Sequence, residues 1–335
     1  MTPGGAPAPA GVTFGIDIGG TKVLGVALGP GAEIVAEARV PTPAGSHAIV
    51  GRHVAEAIEA IVADLDRAVG AAAVPGPGPA VGVGAPGMVD REGRLCFAPN
   101  LPQAAGVDWT ELVGARLPGR AVLIENDANF AVLAEHRLGA AQGFRDVVMV
   151  TLGTGIGGGI VVDGRVLVGS AGFAGEIGHM VVDPAGPPCP CGRRGCWERF
   201  ASGAGLGVLA REAALAGRLG AVVGMAGDPE SVRGEDVSAA AAAGDPEARR
   251  VIEEVGWWIG FGLANLAAVL DPECFVLGGG VAQAGDVLVD SARATLSALV
   301  EGGARRPQAA VVQAAFGERA GAVGAALAAR QGGLS

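Results

Sequence analysis

Short apolar runs punctuated by glycine open the chain. Val12 to Asp17 is apolar and closes on an acid, Ile18-Gly19-Gly20-Thr21-Lys22 follows, and Val23 to Leu28 and Ile34 to Val40 read as strands. Strands joined by such tight turns predict an antiparallel meander. From Ser46 the period lengthens. Ile49, Val50, Val54, Ile58, Ile61, Val62 and Leu65 recur at helical spacing up to Val69, and a VPGPGP stretch ends the helix. Ala80 to Val83 is a short buried strand feeding Gly84-Ala85-Pro86-Gly87. Ala121 to Glu125 is another, handing over at Asn126-Asp127 to a helix that Gly139 stops after Leu138.

The opening pattern then returns. Asp146 to Leu152 runs into Gly153-Thr154-Gly155-Ile156-Gly157-Gly158-Gly159, with strands expected at Ile160 to Val162 and Val166 to Val168. Recurrence of strand, Gly/Thr turn, strand, strand about one domain length later predicts a duplicated α/β fold, two related halves facing each other across a cleft. Beyond it, Met225 to Asp236 reads as a surface loop. Asp245-Pro246 is a helix start with Asp as N-cap and Pro at the first helical position, opening a helix of about 25 residues, roughly 38 Å. A strand from Cys274 to Leu277 ends in Gly278-Gly279-Gly280, a helix follows from about Asp286, and Ala309 to Val312 and Gly321 to Arg330 close the chain as strand and helix. The expected division is a tail (residues 1–11), a small α/β domain (12–126) on which the closing helix (321–335) packs back, and a large α/β domain (127–320) carrying the loop 179–196.

Composition narrows the function classes. Half of the 335 residues are hydrophobic, yet the most apolar stretch, Trp257 to Leu270, is interrupted by Asn265 and ends at Asp271-Pro272, which fits a buried helix and not a membrane span. The first eleven residues have neither the basic nor the apolar region of a signal peptide, so a cytoplasmic protein is expected. A net charge of -10 argues against nucleic acid or anionic membrane as partner. Anionic small molecules stay open, because backbone amides bind phosphate without net positive charge. Many of the 59 glycines sit at strand ends, where backbone turns tightly or approaches a ligand.

The densest chemistry lies from Glu176 to Glu198. His179, Cys189, Cys191 and Cys196 are spaced 10, 2 and 5 apart, one imidazole and three thiols, which is a tetrahedral shell for Zn²⁺ with no open position and therefore structural. Cys96 and Cys274 stand alone among apolar residues and read as inert thiols. Glu176 and Glu198 flank the loop without being needed as ligands, so the metal would hold them toward something else. Asp17 with Gly19, Gly20, Thr21 and Lys22 forms a turn in which glycines admit phosphate oxygens and the acid can hold a water of Mg²⁺. An ordinary hairpin is the plain alternative, weakened by the second such turn at Gly153, Thr154 and Gly155. Neither turn is a Walker A loop or a dinucleotide fingerprint. Asn126-Asp127 reads as a helix cap, as a carboxylate placed to accept a hydroxyl proton, or as both. Gly279 and Gly280 offer a bare platform for adenine or ribose, or a generic loop.

Taken together, DIGGTK, END, LGTGIGGG, EIGH and CPCGRRGCWE, in that order, resemble the ROK family of repressors and sugar kinases, and within it the bacterial ATP-dependent glucokinases. The resemblance implies the actin-like ATPase fold and phosphorylation of glucose by ATP with Mg²⁺. It implies Asp127 as general base on the 6-hydroxyl and Asn100, Asn126, Glu176, His179 and Glu198 around the sugar, with Gly87 and Gly159 beside it. Asp17 to Lys22 and Gly153 to Gly159 would line the phosphates, Gly279-Gly280 the nucleoside, and His179 would serve both zinc and sugar. A homodimer or homotetramer is implied too. Kinases for N-acetylmannosamine, N-acetylglucosamine or mannose, and a non-catalytic sugar sensor, are the alternatives. ROK repressors carry a helix-turn-helix module ahead of the first glycine turn; about a dozen residues precede it here, so an enzyme is expected.

Overall fold

The structure, a computed structural model, describes residues 11–43, 47–70, 78–98 and 106–334. Asn100 and nearly all of the expected N-terminal tail lie outside these. The chain opens with β1 (Thr13–Ile18), β2 (Lys22–Leu28) and β3 (Ile34–Pro41), the antiparallel meander that the alternation implies. α1 (His47–Val69) follows, then β4 (Val81–Ala85), the small hairpin β5 (Met88–Val89) and β6 (Leu95–Phe97), α2 (Trp109–Arg116), β7 (Val122–Asn126) and α3 (Asp127–Leu138). β4 runs parallel to both β1 and β7, giving the sheet order β3-β2-β1-β4-β7. α1 turns Val54, Ile58, Ile61, Val62 and Leu65 into the same buried cluster as Phe14, Ile16 and Val83. Full burial of each such side chain contributes roughly 1.5–3 kcal/mol.

The second sheet repeats that order. β8 (Val147–Leu152), β9 (Ile156–Val162) and β10 (Arg165–Val166) lead on to α4 (Glu198–Ala201), α5 (Gly203–Leu215), α6 (Gly220–Ala226), α7 (Gly234–Ala242) and α8 (Pro246–Leu270). β11 (Cys274–Gly278), α9 (Asp286–Leu299), β12 (Ala310–Gln313) and α10 (Ala320–Gln331) complete the chain. The sheet reads β10-β9-β8-β11-β12: third, second, first, fourth, fifth, as in the first sheet. The duplication inferred from the two glycine turns is thus present in the strand order, and the fold is the two-domain actin-like ATPase fold. Asp245 caps α8 by accepting from the Ala248 amide at 2.8 Å.

Three expectations change locally. Met225 to Asp236 is not a plain loop: it holds the end of α6, a 3₁₀ turn at Pro229–Ser231 and the start of α7. Asp228 accepts from the Ser231 amide and Asp236 from the Arg233 amide, so the acids that suggested solvated loop are caps. β9 begins inside the glycine run, at Ile156, and β10 stops at Val166. Glycine weakens a strand, but it is placed where another backbone comes close, as at Gly159 beside the Ala128 carbonyl.

The chain divides into two compact units. One comprises the described residues up to Gly143, Gly159–Gly175 and those from Glu318 on; the other comprises Phe144–Gly158 and Glu176–Gly317. α3, expected to open the large domain, belongs to the first unit, where it packs on α10 and β4. Backbone contact seats α10 there: a Cβ on Gly15 would come within 1.9 Å of the Ala322 carbonyl, and one on Gly82 within 2.1 Å of the Ala325 carbonyl. No helix among the described residues is long and apolar enough to cross a membrane.

Candidate functional site

In the first unit, the parallel strands β1, β4 and β7 end level with one another. Asp17 pairs with Gly84, and Gly84 and Ala85 with Glu125 and Asn126. Carboxyl ends of parallel strands are where α/β proteins bind ligands, and Asp17, Asn126 and Asp127 gather there. Gly84 keeps the gap narrow, since a Cβ on it would lie 3.3 Å from Asp127 Cα.

The capping reading of Asn126-Asp127 falls to Asn126. Asn126 Oδ1 accepts from the amides of Ala128 and Asn129 at 2.9 and 3.0 Å, and its Nδ2 donates to the Gly87 carbonyl at 2.9 Å. The cap is thereby supplied, and Asp127 is released from it, although its Oδ1 still accepts from the Ala128 amide at 2.8 Å. Burial pushes Asp127 up to about 6, against that amide. Burial, and then the charge of Asp127, push Asp17 up to about 8, with Lys22 pulling the other way. Two carboxylates that resist ionising together form a natural partner for a divalent cation.

The β1–β2 turn closes through Gly19 N–H on the Lys22 carbonyl at 2.9 Å, and the Thr42 hydroxyl donates to the Gly19 carbonyl at 2.6 Å. Neither Gly19 nor Gly20 takes a positive φ, so the turn of this hairpin is not of type I′. The space over Gly20 is open. Lys22 forms an ion pair with Glu318, which lies 3.3 Å from Arg39. Gly87 (φ +105) leaves no room for a side chain against the Phe97 carbonyl and serves Asn126 through its own carbonyl. Gly159 makes room for α3, its absent Cβ falling 2.4 Å from the Ala128 carbonyl. Both were expected beside the substrate; their visible partners are protein.

Glu125 was missed by sequence reasoning. Its Oε1 accepts from the Asn126 amide at 2.8 Å and from Asn129 Nδ2 at 3.2 Å, bracing the strand-to-helix turn, and burial raises its pKa. The signal available was an acid on a buried strand, which is costly without partners.

In the second unit, Gly153, Thr154 and Gly155 form the exposed turn between β8 and β9. Gly203 and Ala204, opening α5, donate to the carbonyls of Gly153 and Thr154 at 2.8 and 3.3 Å. β11 ends beside β8, Gly278 against Thr151. Gly279 (φ +87) fits against the Leu152 carbonyl, where a Cβ would lie at 2.5 Å, and the space over Gly280 is open. The glycines after β11 and the turn after β8 therefore lie at the same edge of the sheet.

The Cys/His loop is tied to the same place. Ile177–His179 forms a 3₁₀ turn, and Gly178 packs on Ile156, a Cβ there coming within 2.2 Å of its carbonyl. The loop folds back through Val182 and Gly195, and Trp197 donates to the Met180 carbonyl at 2.8 Å. Gly195 (φ +66) is obligatory, because a Cβ would lie 1.5 Å from the Asp183 carbonyl. One ligand atom each from His179, Cys189, Cys191 and Cys196 lies within 4.8 Å of every other. Tetrahedral zinc bonds of about 2.3 Å to sulfur and about 2.0 Å to nitrogen imply S···S near ~3.8 Å and N···S near ~3.5 Å. Cys191 and Cys196 Sγ are 3.6 Å apart, and Cys189 Sγ lies 3.7 Å from His179 Nδ1. The four residues fit a structural zinc.

Glu198 is closer to this cluster than its place outside the ligand set implied. Its Oε1 lies 3.0 Å from Cys189 Sγ and 3.6 Å from His179 Nδ1, whereas Glu176 Oε2 lies 3.9 Å from His179 Nε2. The imidazole stands between the two acids, one ring nitrogen to each.

The sequence model of the ROK family matches residues 13–332. The glucokinase of Streptomyces coelicolor is 40% identical over 331 residues, 96% of this chain and 98% of that protein. The crystal structure of a ROK family glucokinase from Streptomyces griseus in complex with glucose and AMPPNP superposes with a TM-score of 0.84 at 38% identity, covering 96% of this chain and 99% of that one. The N-acetylmannosamine kinase of Citrobacter koseri is 35% identical over 271 residues, 80% of this chain and 83% of that protein.

Proposed function

The chain belongs to the ROK family, and from that premise we propose that it is a glucokinase, transferring the γ-phosphoryl group of ATP to the 6-hydroxyl of glucose. Asp127 carries the reading: a carboxylate at a strand end, relieved of capping by Asn126 and pushed up to about 6, in a chain 40% identical along its length to a glucokinase. A base with its pKa near the working pH is both ionised and able to take a proton.

In the reaction Asp127 orients the 6-hydroxyl and accepts its proton as the oxygen attacks the γ-phosphorus, while the bond from that phosphorus to the bridging oxygen breaks and ADP leaves with it. Asn126 keeps one Nδ2 proton for a sugar hydroxyl, the other being engaged by Gly87. Glu176, His179 and Glu198 hold further hydroxyls, as does Asn100, which lies outside the described residues. The amides of Gly153 to Gly155 and of the Gly19–Lys22 turn receive the phosphates, and Gly279-Gly280 the nucleoside. Mg²⁺ arriving with ATP supplies charge neutralisation on the phosphoryl oxygens, and Asp17 would hold it through water. Zinc, which His179, Cys189, Cys191 and Cys196 would hold, would supply no chemistry and would fix the imidazole and the acids beside it. The active form is a cytoplasmic homodimer or homotetramer.

Similarity to an N-acetylmannosamine kinase supports a second reading, because hydroxyl contacts alone do not set the substituent at C2. A coupled ADP-release assay over glucose, mannose, fructose, N-acetylglucosamine and N-acetylmannosamine separates the two. Turnover on glucose far above the others is expected; a preference for an N-acetylated sugar transfers the assignment, and no turnover on any leaves a sugar sensor.

A further inference from the structure

We infer that Gly321, at the start of α10, is a positioning residue for Asp17: its missing side chain is the space in which the Asp17 carboxylate lies. A Cβ on Gly321 would sit 2.8 Å from Asp17 Cγ, 2.9 Å from Oδ2 and 3.1 Å from Oδ1. Those separations are below van der Waals contact with all three atoms of the carboxylate, so a methyl group and the present carboxylate cannot coexist.

Which of the two would yield follows from the other glycines at this helix. Cβ atoms on Gly15, Gly82 and Gly324 would meet backbone: the carbonyls of Ala322 at 1.9 Å, Ala325 at 2.1 Å and Phe130 at 1.7 Å. α10 is held between the sheet and α3 by main chain on main chain, and has no room to back away. Gly321 differs. The first atoms its Cβ would meet are the end of a side chain that turns about two bonds. The helix therefore stays and the carboxylate moves, changing its distance to the charges of Asp127 and Lys22 that act on it. Alanine is also the better helix former, so glycine at this position serves something other than the helix.

The inference rests on Asp17 holding the magnesium of the nucleotide, as proposed above. Gly321→Ala is expected to melt at or above the wild-type temperature and to bind glucose normally in a fluorescence titration. Its kcat should fall by ~10-fold or more, in line with the cost of sub-ångström to ångström misplacement of a reacting group, and its KM for Mg·ATP should rise. A folded variant with wild-type kcat and KM overturns the inference. So does loss of cooperative melting and of glucose binding, because then the backbone and not the carboxylate has given way. The double variant isolates the route: in an Asp17→Asn background, Gly321→Ala should leave Mg·ATP affinity unchanged, and an additive loss would show that it acts elsewhere. Near-normal turnover by Asp17→Asn alone refutes the magnesium role of Asp17 and the inference with it, whereas an inactive Asp17→Asn beside a normal Gly321→Ala refutes the inference only.

Discussion

At the scale of single residues, the site depends on which polar group performs which local task. Asn126 takes the capping bonds, Glu125 braces the turn, and Asp127 is left with one short contact to the Ala128 amide. Asp127→Asn should lower kcat by roughly 10²–10⁴-fold, the usual span for a general base, and kcat/KM for glucose should fall as pH drops through about 6, where the base protonates. Stability runs the opposite way. Asp17 and Asp127 have folded values raised to about 8 and about 6 from 3.8, so between about pH 4 and 8 the folded ligand-free protein binds more protons than the unfolded chain. Their contribution therefore declines as pH rises through that window. Asp127→Asn should accordingly melt higher than wild type at pH 8 while being inactive; a lower melting temperature would show that the ionised carboxylate is stabilising. Asp127 was legible because an acid after a short apolar run falls at a strand end. Glu125 was not, because a single acid on a short strand also reads as a solvated edge.

Elements set how rigidly those residues are held. The loop from Glu176 to Glu198 has a small core of its own in Trp197, which is fully buried and donates from Nε1 to the Trp258 carbonyl at 2.7 Å. Gly262 on α8 lets that ring lie against the helix, since a Cβ there would come 2.0 Å from Trp197 Cε2. Gly262→Ala should therefore destabilise by about 1–3 kcal/mol, the cost of overpacking, and weaken glucose binding through Glu198, the next residue after Trp197; denaturant melts and sugar titration measure both. Cys191→Ser, or removal of metal by a chelator, should lower the melting temperature by several degrees together with sugar affinity. An unchanged melt in protein free of zinc would refute a structural role for the metal. Spacing alone singled out the four residues that cluster, as they lie close in sequence. The lean of Glu198 onto Cys189 and His179 depends on how the returning arm packs, which spacing does not encode.

For the molecule as a whole, two sheets of identical strand order place a glycine turn after the first strand of each. The pattern of the chain determined that much: strands, turns, caps and the Cys/His shell are written in neighbouring residues, and the repetition of strand and glycine turn carries the duplicated fold. The sequence placed the last helix on the first domain; what only the tertiary structure decided is how closely it lies there and what that does to the first acid. α10 packs on β1, β4 and α3 through Gly15, Gly82 and Gly324, and Gly321 clears the space that Asp17 occupies. Such contacts leave no periodic signature, because they are made by absent side chains and by main-chain atoms that every sequence shares. A glycine that admits another backbone, or a carboxylate, looks in sequence like any glycine in an alanine-rich helix.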